Sequence, residues 1–161
     1  LYVAGNDLTK TDSLYGKLKI SSFAKYIKKL ISEYGLKEKV TFTGSLTEEK
    51  MKERFLKSNV FVSPSTIENS PNSLGEAMLL GVPCISSDVG GVKNMLVHNS
   101  EGYIYQADAP YMLAYYVKKV FDDADTALRI SKNAKLHAVK THNRDENLKT
   151  LLSIYNSLNE Q

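Results

Sequence analysis

Two glutamates, Glu68 and Glu76, stand eight positions apart in the segment PSTIENSPNSLGEAM, which runs from Pro64 to Met78. Between them lies Asn69-Ser70-Pro71-Asn72-Ser73. These are turn-forming types: proline presets one backbone angle, and Asn or Ser can accept a hydrogen bond from the first amides of a helix. An apolar stretch follows from Leu74, so a helix is expected to open here, with Asn72 or Ser73 as its cap. Free N–H groups at such an opening attract anions. A carboxylate on each side accepts hydrogen bonds from hydroxyls, and paired hydroxyls belong to sugars. The pattern suits a ligand with hydroxyls at both ends and phosphate between, which is the layout of a sugar nucleotide.

These groups need elements to position them. Residues 1–5, 39–43, 59–63 and 83–87 are short, largely apolar runs and predict strands buried on both faces of a parallel sheet. Helical patterns alternate with them. Residues 19–34 place Ile20, Phe23, Ala24, Ile27, Leu30, Ile31 and Tyr34 at intervals of three and four, with Lys25, Lys28 and Lys29 on the other face. Gly35 is a plausible stop for that helix. Thr47 can cap the next one, with Glu48 and Glu49 in its first turn and Met51 and Phe55 facing inward. Short helices are expected at 73–80 and 92–97, and three helical segments run from about 109 to the end. The alternation predicts an α/β fold, a doubly wound parallel sheet of Rossmann-like type forming a single domain with C-terminal helices. Ligands in such folds bind beyond the carboxyl ends of the strands. The loops at Gly5-Asn6-Asp7, Gly44-Ser45, Pro64 to Glu68, and Asp88-Val89-Gly90-Gly91 should therefore share one edge, with Gly90 and Gly91 lining the cleft.

Composition narrows the class. The 161 residues carry a formal net charge of +3, with 42% hydrophobic and 24% charged residues. This is ordinary globular composition, without the dense basic stripe of a nucleic-acid binder. No apolar run reaches the length of a membrane span, and there is no secretory signal pattern. The single cysteine, Cys84, cannot form an internal disulfide and fits a reducing, cytoplasmic compartment. No loop matches the glycine fingerprint of dinucleotide folds or the Walker loop. His98, His137 and His142 form no metal-ligand spacing and read as surface or core residues. Lys25, Lys28 and Lys29 read as a solvated helix face, with contact to an anionic membrane surface as the alternative.

The segment FVSPSTIENSPNSLGEAMLLGVPCISSDVGG resembles the E-x7-E region of the retaining GT-B glycosyltransferases, the group called family 4. Pro64, Ser65, Glu68, Glu76, Ala77, Gly81, Pro83 and the Gly90-Gly91 pair fall in register with that pattern. Upstream, VTFTGSLTEEKMKERFLKSNVFVSPS is similar to the family's V-x-F-x-G segment, its helix and the strand before P-S. Downstream, HNSEGYIY is similar to an N-G-hydrophobic, hairpin-like segment. The likeness extends from Leu1 to about Leu158.

The resemblance implies a donor-nucleotide-binding, C-terminal half of such an enzyme. Glu68, the catalytic position, would contact hydroxyls of the donor sugar, and Glu76 the ribose hydroxyls. The backbone around Asn72 and Ser73 would face the diphosphate, with Gly90-Gly91 lining the same cleft. The substrate would be a UDP- or GDP-type sugar, transferred with retention to a hydroxyl of a saccharide or lipid-linked acceptor. No metal or other cofactor is implied, because electrostatic stabilisation serves the leaving diphosphate. The chain opens at LYVAG, already within an expected strand. The resemblance places the family's diphosphate-binding Arg and Lys, and the acceptor-holding N-terminal domain, before Leu1. The isolated chain is accordingly expected to bind nucleotide weakly and transfer nothing. The full enzyme is expected in the cytoplasm or peripherally at the inner face of the membrane.

One departure stands inside the site. The family commonly has a small residue, Phe and Gly after the first glutamate; here they are Asn69, Ser70 and Pro71, and proline has no N–H to offer a phosphate. Two rivals share the same residues: a non-catalytic sugar-nucleotide or phospholigand binding module, and an epimerase-like or phosphorylase-like enzyme on the same scaffold. A glycoside hydrolase is disfavoured, since it needs one carboxylic acid kept protonated and the polar loop around Glu68 offers no apolar pocket.

Overall fold

The computed structural model describes residues 1–5 and 21–159. Asn6 and Asp7 of the first expected loop, and the start of the 19–34 helix with Ile20, lie outside the described residues. The chain, which its length allows to be one domain, divides into two compact units, Leu1–Met51 and Lys52–Gln161.

In the first unit, strand β1 (Tyr2–Ala4) pairs in parallel with β2 (Thr41–Gly44). Between them in sequence lies helix α1 (Ser22–Glu33), capped by Ser21, whose hydroxyl accepts the Ala24 N–H at 3.1 Å. α1 buries Ala24 and leaves Phe23, Tyr26, Lys25 and Lys29 exposed. Helix α2 (Glu48–Leu56), which begins in this unit and ends in the second, follows Thr47, whose side chain accepts the Lys50 N–H at 3.5 Å. Its two leading glutamates sit where the helix dipole favours them. Phe55 is buried as expected, while Met51 is half-buried.

In the second unit, strands β3 (Phe61–Ser63), β4 (Cys84–Ser87) and β5 (Tyr103–Tyr105) form a parallel sheet in the order β3-β4-β5. Phe61 pairs with Cys84, Ser63 with Ser86, and Ser87 with Tyr105. β4 is central, and all four of its residues are buried. The HNSEGYIY segment is not hairpin-like, because its last three residues run parallel to β4 as β5. A tight turn before it closes with the Asn99 N–H donating to the Gly102 carbonyl.

Helix α3 (Asn72–Leu79) joins β3 to β4, and the short α4 (Val92–Met95) follows β4. Three helices complete the chain: α5 (Pro110–Asp122), α6 (Ala124–Thr141) and α7 (Arg144–Asn159). Their breaks fall at Asp123 and His142-Asn143. Asp123 accepts the Thr126 N–H at 2.9 Å, and Asn143 accepts the N–H groups of Asp145 and Glu146.

The core joins Ile85, Tyr103, Tyr105, Val120 and Ile130, with Val60, Val62, Met112 and Val117 packed against it. α3 packs on α6, and His142 at the end of α6 lies so close to Gly75 that no Cβ would fit there. By contrast, Leu148, Leu151, Leu152, Ile154, Tyr155 and Leu158 of α7 are all exposed. No helix among the described residues is long and apolar enough to cross a membrane.

Candidate functional site

The site grows from the two loops that leave the carboxyl ends of β3 and β4. Both expected loops of this unit do meet at one edge, and they are tied together by four contacts. The Ser87 hydroxyl, at the last residue of β4, donates to the Ser65 carbonyl at 2.5 Å. The Gly91 N–H donates to the Asn69 carbonyl at 2.6 Å. Gly90, at φ +51°, lies directly against the Glu68 carbonyl, where a Cβ would overlap it. The Ser70 hydroxyl contacts the Met95 sulfur at 3.3 Å. The loop that carries Glu68 is thereby held on both sides by the chain leaving β4.

Glu68 is half-buried, and its carboxylate accepts the Ser65 hydroxyl at 3.4 Å. Neighbouring Ile67 is 90% exposed, so the loop presents its tip to solvent. The chain after β4 carries an ion pair of its own, Lys93 to Asp88 at 2.7 Å, with the lysine largely in water and the aspartate partly covered.

α3 begins at Asn72, and its N-cap is Pro71, extended at φ −72° and ψ 107° without any side-chain cap. The expectation that Asn72 or Ser73 caps this helix is therefore corrected: both lie inside it. The reason is local. Proline is accepted at a helix start because the missing N–H had no intrahelical partner there. Pro71 is also buried, while Asn72 is exposed. The amides of Asn72 and Ser73 lack intrahelical acceptors, whereas the Leu74 N–H already returns to the Pro71 carbonyl at 3.0 Å.

α3 is divided lengthwise. Leu74, Gly75, Ala77 and Met78 are buried, while Asn72 and Glu76 are exposed. Asn72 and Glu76 are four apart, so they are neighbours on the solvent strip of the helix. Side chains on a helix lean toward its N-terminus, which for Glu76 is the end opening at Asn72. The loop of Glu68 and the glycine turn are thus tied together beyond the carboxyl ends of β3 and β4, and Glu76 stands on the exposed strip of the helix that follows that loop. Such a set can accept hydroxyl hydrogen bonds at the carboxylates and donate amide hydrogen bonds to an anion. Among the described residues no group of three His, Cys, Asp or Glu side chains is arranged to hold a metal ion.

Two residues bear on this geometry without having been singled out in the sequence. Ser65 falls within the P-S pair, but its contact with Glu68 follows only from the turn. Ser87 is a buried serine in a strand, and a polar residue at a buried parallel-strand position is the one signal that marks it. The histidines lie on other elements, but two of them reach this region: His142 adjoins Gly75 of α3, and His98 shares a groove with Asp88 and Lys93. His98 and Tyr116 line an open groove of about 440 Å³ beside β5. His137 pairs with Glu101 at 2.8 Å.

Parallel strands joined through α3, with the loops after β3 and β4 tied together beyond their carboxyl ends, define a Rossmann-like α/β unit. Residues 7–137 match the family model described as glycosyl transferases group 1, and the chain belongs to that family. An uncharacterized glycosyltransferase of Methanocaldococcus jannaschii is 28% identical over 130 residues, covering 81% of this chain and 33% of that protein. Among solved structures, the sucrose-phosphate synthase of Thermosynechococcus elongatus superposes with a TM-score of 0.79 at 25% identity, over 98% of this chain and 38% of that one. Anabaena HepE in complex with UDP gives a TM-score of 0.75 at 22% identity, over 94% and 40%, and it has also been solved with UDP-glucose. The fold is that of GT-B glycosyltransferase Rossmann-like domains. The chain spans about a third of the length of the M. jannaschii relative.

Proposed function

We propose that this chain is the donor-binding part of a retaining glycosyltransferase that moves a sugar from a UDP- or GDP-type donor to a hydroxyl on a saccharide or lipid-linked acceptor. The observation that carries it is the clamped loop. Glu68 is fixed by the chain leaving β4 directly before a helix whose first two amides are free and whose exposed strip carries Glu76. In this assignment Glu68 accepts hydroxyls of the donor sugar, Glu76 accepts the ribose hydroxyls, and the amides of Asn72 and Ser73 receive the diphosphate. Gly90 and Gly91 shape the wall of the cleft. That HepE has been solved with UDP and with UDP-glucose supports the donor class.

Transfer needs charge on the departing diphosphate to be met as it develops, which preorganised N–H donors do at no cost in reorganisation. Neither glutamate has to act as a nucleophile. The donor is held without a metal, and groups outside this chain supply the remaining cations and the acceptor. The isolated chain thus binds nucleotide weakly and catalyses no transfer. Placement of the whole enzyme in the cytoplasm, touching an anionic membrane surface through Lys25 and Lys29 of α1, belongs to the same reading.

Calorimetric titration of UDP, GDP and ADP against the chain and against Glu76→Ala tests the assignment, each run with and without EDTA. Loss of a charge-assisted pair of hydrogen bonds should weaken the preferred nucleotide by about 1–3 kcal/mol, and EDTA should leave affinity unchanged. Equal affinities for both proteins would remove Glu76 from the site, and no binding of any nucleotide would end the proposal.

A further inference from the structure

Burying a hydroxyl is costly unless it is hydrogen-bonded, and a central parallel strand is ordinarily filled by Val, Ile or Leu. β4 departs from that rule at its carboxyl end, where Ser86 and Ser87 are both fully buried. The two hydroxyls behave differently. That of Ser86 stays within its own strand, donating to the Ser87 carbonyl at 3.3 Å. That of Ser87 leaves the strand and reaches the Ser65 carbonyl at 2.5 Å, with the Ser63 carbonyl 3.3 Å away. A hydroxyl has one proton to give, and the short distance assigns it to Ser65. Ser65 in turn directs its own hydroxyl at the Glu68 carboxylate. A chain of contacts therefore runs from the sheet interior to the carboxylate: Ser87, the Ser65 peptide, the Ser65 hydroxyl, Glu68.

We propose that Ser87 is a positioning residue for Glu68. Through the Ser65 carbonyl it fixes the turn leaving β3, and so sets where the Glu68 carboxylate meets the donor sugar. This inference rests on the proposed donor site. It adds a division of labour: the sugar end of the ligand depends on β4 through Ser87, whereas the nucleotide end depends on α3 and Glu76. The two ends can then be weakened separately.

The test uses Ser87→Ala, with Ser86→Ala as the control that also removes a buried hydroxyl from β4 but has no link to the loop. Affinities for UDP and UDP-glucose, and for GDP and GDP-mannose, give the increment that the sugar adds to the bare nucleotide. Ser87→Ala should reduce that increment by about threefold to tenfold, the loss of one hydrogen bond, with bare-nucleotide affinity unchanged. Ser87→Thr, which keeps the hydroxyl, should restore it, and Ser86→Ala should alter neither affinity. An increment unchanged in Ser87→Ala, or equal weakening of nucleotide and sugar nucleotide, would overturn the assignment. A second readout needs no ligand. Amide hydrogen exchange in residues 64–69 of the unliganded chain should quicken in Ser87→Ala relative to the rest of the sheet, and unaltered exchange there would overturn the role of Ser87. If that exchange quickens while the unsubstituted chain binds no nucleotide, the positioning of the loop by Ser87 is supported and the donor-site reading alone fails.

Discussion

Replacing Gly91 with alanine measures how tightly the turn after β4 holds the Glu68 loop. Gly91 sits at φ −84°, a value open to any L-residue, so the substitution probes space and not backbone strain. The new Cβ would lie 2.6 Å from the Asn69 carbonyl oxygen, where ordinary contact begins at 3.4 Å. The oxygen must therefore withdraw by roughly 0.8 Å, the difference between those distances. That same oxygen accepts the Gly91 N–H at 2.6 Å, so withdrawal carries the bond toward the limit of hydrogen bonding. Overpacking of this kind costs about 1–3 kcal/mol and a weakened hydrogen bond about 1 kcal/mol. Thermal unfolding followed by circular dichroism should show the melting point fall by about 2–4 °C for each kcal/mol lost in a chain of this length. UDP-glucose should bind more weakly than to the parent chain. Gly90→Ala should be worse, because its left-handed φ of +51° adds roughly 1–2 kcal/mol for a residue with a Cβ and its Cβ would overlap the Glu68 carbonyl. A Gly91→Ala chain with the parent's melting point and the parent's affinity would refute the close approach on which the clamp depends.

Two further outcomes follow from groups outside the site. Cys84 is fully buried at the start of β4, and burial pushes its thiol well above the ordinary cysteine range; a chromogenic disulfide reagent should leave it unmodified in the folded chain and titrate one thiol in denaturant, and rapid labelling of the folded chain would contradict its burial. His98 accepts the Ile104 N–H at Nδ1, 2.9 Å away, which requires an unprotonated nitrogen; desolvation and then the Lys119 charge lower its pKa below the ordinary 6.5. Because the folded pKa is the lower one, its stabilisation is complete above about pH 6.5 and is lost as pH falls through the folded value. Stability curves for the parent and His98→Asn should therefore converge in slope above that pH and diverge below it, and parallel curves throughout would show that His98 does not titrate on unfolding.

The glutamates were legible because everything that marks them is local. Eight residues of spacing, a proline and a glycine-bounded apolar run can be read along the chain, and the parallel α/β pattern follows from strands such as Val60-Phe61-Val62 that are apolar on both faces. The clamp was not legible, because Ser65 and Ser87 are separated by 22 positions and no periodicity links one hydroxyl to one carbonyl at that range. β5 escaped for a similar reason. Three residues after a Gly102 turn resemble the arm of a hairpin until β4 is seen to supply a parallel partner along Ile85, Ser86 and Ser87. The cap of α3 was misjudged because capping preferences describe side chains at exposed helix starts. Here buried Pro71 takes the cap position, and Asn72 and Ser73 follow it inside the helix.

What places Glu76, finally, is the packing of α3's opposite face. Leu74, Ala77 and Met78 are buried to within 1%, and Gly75 leaves room for His142, which follows α6. Each residue of an α-helix turns the next by about 100°, so a slip of one position would swing Glu76 toward that core and drive an apolar residue onto the strip beside Asn72. Desolvating a carboxylate in that way costs several kcal/mol. The exposure of the Glu76 carboxylate is thus a consequence of four buried residues on the other face of the helix. The same holds for Glu68, whose loop is fixed from beneath by a strand serine and from the side by two glycines. The elements that hold the two glutamates are thus the interior of β4 and the inward face of α3.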